Sequence, residues 1–274
     1  MGGGPMGRRA GPRLSVSVMT VIGVPWHLDE YLPGLDVPLA ADTVIRPDLP
    51  PGDVWGRLAA LYSRLADAVA GTAGLGARPV VVSGDCPTAL GIMAGLQRAG
   101  IDAGIVWLDA HGDLQTLETT TSGYLGGLPL RLLAGYRPEL IARRLGLRAV
   151  PEDQITLAGA RDLDPPEAAY LAGARIRQVQ VEELDTGDRP AGDRPGGDLP
   201  AGPLYLHVDL DVVDSAQLPG LRYPAPGGPG PAQVAGALRA VLGTGRVAAV
   251  GIACTWYPGH SAADRIRPYL AALA

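Results

Sequence analysis

The sequence has no lysine and no phenylalanine, so all 23 of its basic residues are arginine. The codons of both missing residues are AT-rich. Their absence points to a GC-rich genome and says nothing about chemistry. Cysteine is scarce too. Cys86 and Cys254 are the only two, and they lie far apart, which excludes a disulfide framework. No apolar run reaches the ~18 residues that a membrane-spanning helix needs, so no membrane partner is expected. A basic excess is also missing: 23 basic against 28 acidic residues give a net charge of -5 and a pI near 5.4. The arginines are scattered rather than striped, so no nucleic-acid partner is expected either.

What is present suits an α/β protein. Hydrophobic residues make up 47% of the 274, enough to bury a sizeable core. Residues 1–13 are rich in Gly, Pro and Arg and read as a disordered tail. The apolar run over 14–24 imitates the core of a signal peptide. It alternates like a strand, however, and lacks a small-x-small cleavage site, so it is read as the first strand of a cytoplasmic protein. Further strands are predicted over 79–82, 104–108, 154–158, 176–181, 204–208 and 247–253, the first covering 15–22. Helices are predicted over 53–73, 87–99, 138–145, 166–172, 230–242 and 261–273. Several strands are nearly continuous apolar runs, as in a parallel sheet covered on both faces. The alternation of strand and helix predicts an α/β fold with right-handed crossovers and a single domain over 14–274. Residues 185–203 carry an imperfect Gly-Asp-Arg-Pro repeat that cannot form a helix. We read them as a surface loop; an interdomain linker is the alternative.

Two clusters of potential ligands end two of these strands. Asp109-Ala110-His111-Gly112-Asp113 follows the strand at 104–108. His207-Val208-Asp209-Leu210-Asp211 ends the strand at 204–208. Alternate residues of an extended chain share a face, so Asp109, His111 and Asp113 can point together, as can His207, Asp209 and Asp211. Fully extended, Asp109 and Asp113 would lie ~13 Å apart. The chain must therefore bend, and Gly112 is the expected place. Four converging carboxylates could not all stay ionised unaided, and two divalent cations would balance them. Mixed oxygen and nitrogen donors suit Mn²⁺, Fe²⁺, Zn²⁺ or Co²⁺ better than Ca²⁺. A solvated acidic loop is the bland reading of either cluster alone.

These motifs resemble the arginase/agmatinase (ureohydrolase) family, whose metal motifs are GGDH, DAHxD and a later DxD. Here they stand as Ser83-Gly84-Asp85-Cys86, as residues 109–113 and as residues 207–214. The resemblance implies a three-layer α/β/α fold with a parallel sheet of about eight strands. It implies two Mn²⁺ ions, with Asp109 and Asp209 bridging, His111 and Asp211 on one ion and Asp113 on the other. In that family the metals lower the pKa of a water that attacks the guanidine carbon. Asp113 is the residue expected to carry its proton to the leaving amine. Residues 119–123, Thr-Thr-Thr-Ser-Gly, resemble the family's α-carboxylate clamp, which implies substrate contacts by Thr120, Ser122 and Gln115. The stretch Arg161-Asp162-Leu163-Asp164-Pro165-Pro166-Glu167 resembles the segment that holds the α-ammonium, through Asp164 and Glu167. An acidic first turn of a helix is the bland reading of Glu167. Together these imply a small amino-acid substrate.

Three positions depart from the family pattern. Cys86 stands for the metal-binding His, Gly126 for a His that shuttles protons, and Thr255 for the Glu beside the guanidinium. An intact amino-acid clamp with an altered guanidine end suggests a modified arginine. N-hydroxylation makes a guanidine less basic, so a neutral Thr255 suits it. The family's Nω-hydroxy-L-arginine hydrolases of D-cycloserine biosynthesis also carry Cys in place of that His, and the implied products are L-ornithine and hydroxyurea. The rivals are hydrolysis of arginine or another guanidino acid, and a degenerate, non-catalytic binding protein. Two readings of Cys86 stand: a thiolate ligand, or a packed thiol that leaves one metal short of a ligand. Either predicts weaker occupancy of the Cys86/Asp113 site. His207 points toward the site but is no ligand in the family pattern. His260 is expected at the surface or as a cap, Cys254 in the core, and His27 has no assignment. A monomer is favoured.

Overall fold

A computed structural model describes residues 19–184 and 199–273. The expected tail at 1–13, the start of the first strand at 15–18 and most of the Gly/Pro-rich stretch at 185–203 lie outside the described residues. In chain order the elements are β1 (Met19–Val24), β2 (Trp26–His27), β3 (Glu30–Tyr31), β4 (Thr43–Val44), α1 (Val54–Gly74), β5 (Arg78–Ser83), α2 (Thr88–Arg98) and β6 (Gly104–Leu108). There follow α3 (Pro129–Leu133), α4 (Ala142–Leu145), β7 (Ile155–Ala158), α5 (Pro165–Gly173), β8 (Arg177–Val179), β9 (Leu204–Asp209), α6 (Pro231–Gly243), β10 (Val247–Ala253) and α7 (Ala262–Ile266).

Eight strands form one sheet in the order β4-β1-β5-β10-β9-β6-β7-β8, and their pairings are parallel. β2 and β3 make a separate antiparallel hairpin. The side-chain period of two divides each central strand between two cores. Leu204, Leu206 and Val208 of β9 join Val106 and Leu108 of β6 under α6 and α7. Tyr205, Trp107 and Ile105 join the opposite core, under α1 and α2. The result is the expected three-layer α/β/α arrangement.

Helix α1 starts where Asp53 accepts a hydrogen bond from the Gly56 amide at 2.9 Å. It buries Leu58, Leu61, Tyr62, Leu65 and Val69, a stripe at helical spacing. α2 is buried along most of its length and packs directly on α1. Gly95 allows this contact: a Cβ there would sit 2.6 Å from the Val69 Cβ.

Some elements differ from the sequence expectation. β4 and the β2–β3 hairpin have two residues per strand, too few to show a period. Only Ala142–Leu145 of the expected helix over 138–145 is α-helical. The last helix, expected over 261–273, ends as α-helix at Ile266 and continues as a 3₁₀ turn over Arg267–Leu273. Pro268 has no N–H with which to continue the i→i−4 hydrogen-bond ladder. Among the described residues no helix is long and apolar enough to cross a membrane.

Candidate metal centre

The candidate ligands sit at the carboxyl ends of β5, β9 and β6, where open α/β sheets bind ligands. β10 lies between β5 and β9 and delivers Thr255 to the same edge. Asp109 and Asp209 continue the face of β6 and β9 that carries Trp107 and His207. Their local structure depends on side chains capping backbone. Asp209 accepts from the Asp211 amide at 2.9 Å, which closes a 3₁₀ turn and brings Asp211 back to the site. Asp109 does the same for the His111 amide at 2.8 Å.

The required bend falls one residue later than expected. Asp113, not Gly112, takes the left-handed conformation, with φ of 53°. Gly112 has a different task. A Cβ there would lie 2.7 Å from Glu167 Oε1, so its bare backbone admits that carboxylate.

Among the described residues two groups of metal-binding atoms converge, each within 4.8 Å: Asp109 with His111 and Asp211, and Asp109 with Cys86 and His207. Asp109 belongs to both. His111 Nδ1 lies 3.2 Å from Asp211 Oδ2 and 3.4 Å from Asp109 Oδ1. The Cys86 thiol donates to Asp209 Oδ2 at 2.9 Å. Thr255 Oγ1 donates to Asp209 Oδ1 at 2.7 Å. Asp113 Oδ2 is buried without a hydrogen-bond partner.

Burial and mutual repulsion dominate the electrostatics. Burial, with the charges of Asp109 and Asp209, pushes Asp113 well above the usual carboxylate range. Burial with Asp211 and Asp109 does the same to Asp209. Burial and Asp109 raise Asp211 to about 6, against the pull of His111. Burial opposes the proton on His111, but hydrogen bonds to Asp109 and Asp211 win and push it up to about 12. Burial raises the Cys86 thiol, and the neighbouring Asp209, Asp113 and Asp109 raise it further. Among the described residues His111 is the cation in direct contact with these acids, Arg161 adds charge beside Asp211 and Asp109, and Asp113 Oδ2 stays buried without a partner. Oxygen, nitrogen and sulfur donors in this arrangement fit divalent transition cations.

The site opens into a cleft of about 250 Å³. Asp113, Gln115, Thr120, Ser122, Asp164 and Glu167 all line it. A larger groove of about 850 Å³ lies along β4 and α1, remote from these acids. Gln115 Nε2 donates to Asp164 Oδ2 at 2.6 Å, and Thr119 Oγ1 donates to Gln115 Oε1 at 2.7 Å. The two halves of the expected amino-acid clamp are thus tied together. Glu167 accepts the Leu114 amide at 2.9 Å and the Asp164 amide at 3.1 Å, so its carboxylate caps α5 as well as facing the cleft. Thr255 does not line the cleft; its hydroxyl is committed to Asp209.

A match to the model of the arginase family covers residues 3–255. The chain belongs to the arginase family. It is similar to the arginase of Bacillus subtilis, with 33% identity over 153 residues, 55% of this chain and 52% of that protein. The arginase of Brevibacillus brevis matches at 32% over 169 residues, 60% of this chain and 57% of that one. The chain therefore spans a little over half the length of these curated relatives. In fold it is similar to the crystal structure of arginase from Bacillus cereus, with a TM-score of 0.76 at 24% identity over 94% of this chain and 96% of that one.

Against the arginase pattern, Cys86 is near both bridging candidates rather than displaced from them. Gly126 is bare because the Tyr124 ring covers it: an added Cβ would collide with that ring. Tyr124 stacks on His27, whose Nε2 is 3.3 Å from the tyrosine oxygen, and His27 Nδ1 is 3.2 Å from the Gly84 carbonyl. Tyr124 and Tyr223 both line the cleft. His27 was left unassigned in the sequence, and Tyr124 and Tyr223 were not singled out; each stands alone there without a spacing signal. Arg161 was quoted only as part of a motif. Its guanidinium binds the carbonyls of Ala225 at 2.9 Å, Val212 at 3.0 Å and Pro226 at 3.1 Å, which fastens the loop after β9 to the loop after β7. Cys254 is buried and His260 exposed.

Proposed function

We propose that this chain hydrolyses the terminal guanidine C–N bond of a free amino acid, and that its preferred substrate is Nω-hydroxy-L-arginine, giving L-ornithine and hydroxyurea for D-cycloserine biosynthesis. The observation that carries the reading is the position of the two ligand groups sharing Asp109 at a cleft lined by the clamp residues. Membership of the arginase family supports the reaction class. One related structure, the Entamoeba histolytica arginase, is in complex with L-ornithine.

Cys86, Asp109, His111, Asp113, Asp209 and Asp211 would hold two divalent cations, Mn²⁺ in the family pattern. Such ions would lower the pKa of the attacking water and stabilise developing charge. The remaining work falls to side chains. Gln115, Thr120 and Ser122 offer neutral hydrogen bonds to an α-carboxylate, and Asp164 offers charge to an α-ammonium. Glu167 orients Asp164 by holding its amide. Asp113, which lines the cleft and whose Oδ2 has no hydrogen-bond partner, would take the proton of the attacking water and return it to the leaving nitrogen. No carboxylate stands beside the guanidine end in place of Thr255, which suits a hydroxyguanidine of low basicity. Residues 14–274 form the one catalytic domain of this proposal, and a monomer suffices for it.

A substrate panel decides. With Mn²⁺ supplied, hydroxyarginine should yield hydroxyurea and ornithine faster than arginine yields urea. Faster urea release from arginine, the substrate class named by the relatives, would overturn the substrate choice. No turnover of any guanidino compound would overturn the reaction.

A further inference from the structure

His207 lies on β9 two residues before Asp209, and its side chain is buried on the ligand-bearing face. It is held from two sides. The Trp107 ring stacks on it at 3.6 Å between centroids, and Trp107 Nε1 itself donates to Asp109 Oδ2 at 3.0 Å. The Tyr205 hydroxyl meets His207 Nδ1 at 2.8 Å. Gly251 on the adjacent β10 leaves the space that this hydroxyl occupies. Nδ1 is therefore spent, and the other ring nitrogen, Nε2, is buried with no hydrogen-bond partner. A buried orphan nitrogen is costly unless a ligand satisfies it. A metal-ligating imidazole is typically oriented by a hydrogen bond at its other nitrogen, which Tyr205 provides.

The family pattern gives this centre an imidazole at position 86, and here a shorter thiol stands there. A ring nitrogen of His207, the Cys86 sulfur and an Asp109 oxygen lie within 4.8 Å of one another. We infer that His207 returns the missing imidazole from the neighbouring strand, so that Cys86, His207 and Asp109 form a sulfur–nitrogen–oxygen site that prefers a softer cation such as Zn²⁺ or Co²⁺ to Mn²⁺. Thiolate and imidazole donors favour those ions, whereas the Asp109–His111–Asp211 group keeps an oxygen-rich site. The inference rests on reading the centre as dinuclear and makes it a centre with two unlike sites.

Cobalt titration of the full chain, stripped by chelator, tests it. Thiolate-to-cobalt charge-transfer absorption reports the Cys86 site, and elemental analysis reports the total bound. The wild type should take up two equivalents, one of which brings the thiolate band. His207→Gln should weaken that equivalent at least about tenfold and leave the other unchanged. Adding Cys86→His to His207→Gln should restore the second equivalent, without the thiolate band. A His207→Gln titration identical to wild type would overturn the inference and leave the dinuclear reading standing. A wild type that binds no cobalt would overturn both. Should His207→Gln not fold, Tyr205→Phe decides instead. It keeps both rings and removes the hydroxyl that orients Nε2, so an unchanged thiolate-bearing equivalent would overturn the inference.

Discussion

Thr255→Val removes one hydroxyl and keeps a side chain of similar shape. That hydroxyl donates to Asp209 Oδ1 at 2.7 Å in a fully buried setting. A hydrogen bond to a charged group contributes about 1.5–3 kcal/mol. Asp209 keeps its bonds from the Asp211 amide and from Cys86, so it is not orphaned. The loss should therefore appear as a less well-oriented ligand. At ~1.4 kcal/mol per factor of ten, the bond corresponds to roughly 10- to 100-fold in metal affinity. Chelator competition followed by elemental analysis measures this. KM, determined at saturating Mn²⁺, should stay within about threefold of wild type, since Thr255 lies outside the cleft lining. A variant with unchanged metal affinity and a KM raised tenfold or more would refute the reasoning. It would return Thr255 to the substrate contact that its place in the sequence suggests.

Asp113→Asn keeps the left-handed backbone, which Asn tolerates, and removes a buried charge facing Asp109 and Asp209. The metal-free variant should melt at or above the wild-type temperature, while retaining about one metal equivalent and losing turnover; a lower apo melting temperature would count against the repulsion. The metal-free wild type should lose stability as pH rises from about 4 to 7. Asp113, Asp209 and Asp211 have folded pKa values above their unfolded ones, so the stability they give at low pH drains as pH rises through the folded values. His111, raised to about 12, adds the same sign above about pH 6.5. Excess Mn²⁺ should flatten or invert this slope, because its ligands must be deprotonated; scanning calorimetry with and without chelator checks both. Asp164→Asn should raise KM about tenfold for the amino-acid substrate with little change in kcat, and an unchanged KM would remove Asp164 from the ammonium contact. Arg161→Met gives up hydrogen bonds to six backbone carbonyls, three of them at 2.9–3.1 Å, and should cost about 2–4 kcal/mol in urea unfolding.

The parts of this molecule that are local in sequence were legible there. Apolar runs predicted seven of the eight sheet strands to within a few residues, β6 and β10 at their observed bounds of 104–108 and 247–253. Asp109, His111, Asp113, Asp209 and Asp211 stood out because strand ends and alternate spacing place them together before any fold is known. What depends on distant packing was not legible. β4 owes its existence to pairing with β1, not to its two residues. His27 reaches the cleft through Tyr124, 97 positions away, and neither carries a motif. Thr255 was read as facing the substrate because the family pattern gives a position but not a rotamer; its hydroxyl turns to Asp209. The alternation that pointed His207 toward the site was sound. Its orphaned nitrogen could be seen only once Tyr205 and Trp107 were placed around it.

The ligand-bearing strands β5, β9 and β6, with β10 among them, are interior to the sheet, with two further strands on either side of the group. Fraying starts at edges and ends, so amides here should exchange with solvent only on near-global unfolding. A cation held here would not be released by melting of the strands behind it. Its departure through the cleft would leave the sheet intact, so metal exchange and exchange of the strand amides should be separate clocks. The first would answer to the side chains at the mouth, Tyr124 and Tyr223 among them, and the second to the core alone.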